Sequence, residues 1–114
     1  MTRQTNNLIK DIRTRADQSQ ANIDHALKIV VEATDGTRND AQYIEAAMRE
    51  LRHAQQWAVA IGELVKVLDY FKDHTGEADL CRALKDEAVT LLYRQVDLTN
   101  DDLRRWLYEF ALSI

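Results

Sequence analysis

The sequence predicts an all-α fold: a long antiparallel helical hairpin packed by two shorter helices into a four-helix bundle. Three observations predict it. The 114 residues include no proline and only three glycines, Gly36, Gly62 and Gly76, and a chain so poor in helix breakers suits long uninterrupted helices. Apolar and small residues recur at alternating steps of three and four, the spacing of a coiled-coil-like seam. Two turn signals, "DGTRND" at residues 35–40 and "DHTG" at residues 73–76, and a weaker break, "VDLTNDD" at residues 96–102, punctuate the chain. They leave helices near residues 5–34, 39–72, 77–95 and 100–112 in what is expected to be one helical domain spanning residues 1–114.

The seam of the first helix runs through Ile9, Ile12, Ala16, Ser19, Ile23, Ala26, Val30 and Ala33. The second helix answers with Ile44, Ala47, Leu51, Ala54, Ala58, Ile61, Val65 and Leu68. So many alanines let two backbones approach closely, and the short turn between the segments makes them antiparallel neighbours. Asn39, with Gln42 three residues on, is a candidate cap for the second helix, and Thr99 with Asp102 for the fourth. Gly36 and Gly76 stand where C-terminal caps are expected.

At about 33 residues and 1.5 Å per residue the second helix is about 50 Å long, against a radius of gyration of about 13 Å for a compact domain of this size. Either it bends near Gly62 or the molecule is elongated. Its second half adds Trp57, Ala60, Leu64, Val67, Tyr70 and Phe71 to the seam and so must be covered on more than one side. The third helix carries Leu80, Cys81, Leu84, Ala88, Leu91 and Leu92, and the fourth Leu103, Trp106, Leu107 and Phe110. These are expected to fold over residues 57–71 and the start of the first helix. The tip around residues 35–40 then projects as a pair of helices with a thin seam.

The net charge of -4 is uneven. Arg3, Lys10, Arg13 and Arg15 face only Asp11 in residues 1–16, whereas residues 69–102 are acidic. An acidic chain is a poor nucleic-acid ligand unless its cations cluster. One cysteine, Cys81, allows no internal disulfide, and the opening residues lack the apolar core of a signal peptide, so the chain reads as cytoplasmic. No stretch approaches the roughly 20 apolar residues of a membrane span.

Glu50 and His53 have the Glu-x-x-His spacing that binds iron in some helical bundles, ferritin-like ones among them. Those proteins need inward-facing carboxylates and usually two such motifs, and this chain has one. Leu51 and Ala54 lie on the seam, so Glu50 flanks it and His53 points away. Asp24 and His25 lie level with them across the hairpin, with His25 expected to face water. A solvated helix face is the expectation, with no metal or other cofactor. Cys81 is expected to be a buried thiol packing as a small hydrophobe, Ser19 a small packing residue, and His74 a partner of the end of the second helix. The chain has no glycine-rich phosphate loop, Cys-x-x-Cys or Gly-x-Ser-x-Gly, and no catalytic residue is nominated.

The sequence therefore reads as a non-catalytic protein–protein interaction module: a small oligomeric regulatory, adaptor or inhibitory protein of bacterial or phage type. Its expected partners are itself, as a homodimer or larger assembly, and another protein. Tyr43, Met48 and Gln55 on the flank of the tip, with Tyr108 and Leu112 near the C-terminus, are the candidate contacts. The alternative is a DNA-binding regulator that presents Arg104 and Arg105 on the fourth helix after a brief turn. Asp101 and Asp102 at the start of that helix oppose it. A metal-binding bundle ranks below both.

Overall fold

The computed structural model describes residues 1–35, 40–94 and 100–114. Four helices follow one another: α1 (Arg3–Thr34), α2 (Ala41–Lys72), α3 (Glu77–Arg94) and α4 (Asp101–Leu112). The described residues contain no strand. The expected all-α hairpin with two shorter helices is the observed architecture. None of these helices is long and apolar enough to cross a membrane.

The helix starts follow local hydrogen-bonding chemistry. Thr2 caps α1, its hydroxyl accepting from the Thr5 N–H at 3.2 Å. Asp40 caps α2 through the Gln42 N–H at 2.9 Å. Buried Asn100 caps α4, its Oδ1 accepting from Asp102 and Leu103 N–H groups at 3.1 and 3.3 Å. Of the expected caps, Asn39, Thr99 and Gly36 lie outside the described residues. Gly76 does not close α2. Asp73 occupies that C-cap in a right-handed conformation, and Gly76 stands before α3, its carbonyl accepting from the Leu80 N–H at 3.0 Å. With α2 already closed at Asp73, no left-handed residue is needed at Gly76. His74 does meet the end of α2: its ring nitrogen Nδ1 bonds the Tyr70 carbonyl and the two rings stack 4.7 Å apart.

Of the two outcomes for the long second helix, the molecule takes elongation. Its extents are 55 × 24 × 20 Å with a radius of gyration of 16.6 Å, and α2 runs unbroken through Gly62. Nothing lies within 4 Å of where a Cβ would stand at that glycine, so no close approach requires it.

The core occupies one end. Ile12, Ile61, Leu64, Leu68, Leu80, Leu84, Leu103 and Leu107 are fully buried there, packed by the start of α1, the end of α2, α3 and α4. The buried apolar residues of the distal hairpin are Ala26, Ala33, Ala47 and Ala54. The molecule is thus a four-helix base from which a two-helix tip projects. Coverage of the end of α2 is less complete than its composition predicts, because Val59 and Tyr70 are exposed. α3 and α4 cover one flank of the hairpin and leave the other to solvent.

A polar cluster ties the start of α1 to α3. The Thr2 N–H and hydroxyl both donate to Glu77 Oε1 at 2.8 Å. Hydrogen bonding from the Thr5 side chain, then from the Thr2 backbone and side chain, holds the Glu77 carboxyl down at about 2, against an ordinary 4.5. A depressed carboxyl stabilises the fold fully above its unfolded value, and that contribution disappears as pH falls through the folded one. The wild type is therefore expected to lose melting temperature more steeply between pH 4.5 and about 2 than Glu77→Gln. Thermal melts across that window check it, and equal slopes refute the link.

Candidate functional site

Two surfaces combine exposure with chemistry. The first is a groove where α4 crosses the hairpin. Arg15, Gln18, Ser19 and Asn22 of α1, Trp57 of α2, and Asp102, Arg105, Trp106 and Glu109 of α4 line one end. Its continuation towards the tip is lined by His25, Ile29, Glu50, His53 and Asn100. The groove floor is aromatic. The Trp57 and Trp106 rings lie 5.8 Å apart, and Trp106 stacks on Phe110 at 5.2 Å. The Arg15 guanidinium sits 4.8 Å from the Trp57 ring and 5.5 Å from that of Trp106, within cation–π range of both. Trp106 Nε1 donates to Asp11 Oδ2 at 3.1 Å, and Asp11 Oδ1 lies 3.9 Å from Arg15 Nε. The cation and both indoles thus satisfy one another.

The structure corrects the placement of His53. It is half-buried rather than turned to water, because the N-terminus of α4 approaches that flank of α2 and makes a groove of it. Glu50, His53 and exposed His25 share this groove. They do not converge on a common point: among the described residues, no three His, Cys, Asp or Glu side chains are gathered as a metal ion requires. Cys81 is half-buried rather than fully enclosed, with Sγ 3.5 Å from the Thr5 hydroxyl. Ser19 is half-buried on the seam and donates to the Ala16 carbonyl at 2.9 Å.

The second surface is the flank of the hairpin opposite α3 and α4. Leu27 is 47% exposed, Val31 56%, Met48 42% and Val59 55%. Leu27 and Val31 are four apart on α1, and Met48, Gln55 and Val59 are seven and four apart on α2, so each set forms one helical stripe. The stripes adjoin because both lie on the same side of the seam. Gln55 is exposed among these apolar neighbours. Tyr43 does not join them: five residues from Met48, it is rotated towards the seam and half-buried. Tyr108 and Leu112 are 58% and 67% exposed and lie four apart on α4, away from the hairpin flank. Leu92, Tyr93 and Arg104 line a cleft beside Tyr108.

Sequence reasoning missed Leu27, Val31 and Val59. The signal was present in "IVV", residues 29–31, where apolar side chains spill past a two-position seam. At the start of α4, Arg104 lies 3.8 Å from Asp101, and Arg105 shares its groove with Asp102 and Glu109. A recognition helix meets phosphates with its first turn, and here that turn carries Asp101 and Asp102. No protein-family model, characterised protein or solved structure is significantly similar to the chain.

Proposed function

We propose that the chain is a non-catalytic protein–protein interaction module, a small regulatory, adaptor or inhibitory protein that associates with itself and with another protein. One observation carries the reading. The distal hairpin is a bare two-helix layer with a stripe of exposed apolar side chains, whereas the base is closed by α3 and α4. Exposed apolar side chains gathered on one uncovered flank are a feature of interfaces. Tyr108 and Leu112 offer a second contact at the other end of the molecule, so two partners can be held at once. In the groove, the Arg15 guanidinium is engaged with the Trp57 and Trp106 rings, and the Trp106 indole with Asp11.

The test is absolute mass by light scattering over a wide concentration range, together with affinity capture from the source cells using the full chain as bait. The expected result is a concentration-dependent assembly, plus a captured protein that is lost when Tyr108 and Leu112 are replaced by glutamate. A chain that is monomeric throughout and retains nothing above background refutes the proposal.

A further inference from the structure

We draw no further inference here: the strongest candidate, the exposed apolar stripe of Leu27, Val31, Met48 and Val59 on the open flank of the α1–α2 hairpin, carries nothing beyond the interaction reading above, because nothing in the structure shows what covers it.

Discussion

Leu64→Ala is expected to lower stability by about 3 kcal/mol, and the melting temperature by roughly 10 °C. Leu64 is fully buried at the centre of the base, on the flank of α2 that faces α3 and α4. Truncation removes its transfer free energy and leaves a cavity that four packed helices cannot collapse into. The loss is a large part of the roughly 5–15 kcal/mol that holds a domain together. Chemical denaturation checks the value. The midpoint should fall with the slope unchanged, since the surface exposed on unfolding is nearly the same. A loss below about 1 kcal/mol would mean that the base is loosely packed.

Trp106→Ala is expected to cost about 3 kcal/mol, through several contacts rather than one cavity. The indole stacks on Phe110, leans on Trp57, lies under Arg15 and donates to Asp11 across 95 residues of sequence. It is half-buried, so the loss falls at the lower end for a tryptophan. Trp106→Phe separates the contributions. It keeps a ring beside Phe110 and Trp57 but cannot bond Asp11, and is expected to cost about 1 kcal/mol. If the two variants lose the same amount, the ring contributes nothing and the indole hydrogen bond is what joins α4 to α1.

The sequence made the helices and their order legible because periodicity is a local property. Ile12, Ala26, Ala33, Ala47, Ala54, Ile61 and Leu68 were all read as seam, and all are buried. Caps were harder to place because neighbouring residues have equivalent chemistry. "RND" and "LTND" each offer adjacent side chains able to accept from a free N–H, and tertiary placement selects among them. The groove was invisible because it depends on where α4 crosses α1, a relation between residues such as Asp11 and Trp106 that no local pattern encodes. His53 was misplaced for that reason. The apolar flank was half legible. Met48 and Gln55 were read as exposed, but Leu27 and Val31 gain meaning only once α3 and α4 are known to take the other side.

The uneven core also divides the molecule by how readily it opens. Backbone around Leu64 and Leu68 is locked beneath fully buried Ile12 of α1 and leucines of α3 and α4, and releasing it requires the whole base to come apart. The distal turns are held by a seam whose buried members are alanines, so they part and re-form at a small fraction of that free energy. In the interaction reading proposed above, the hairpin surface offered to a partner lies on this softer end, and binding there would order the hairpin along with making the contact.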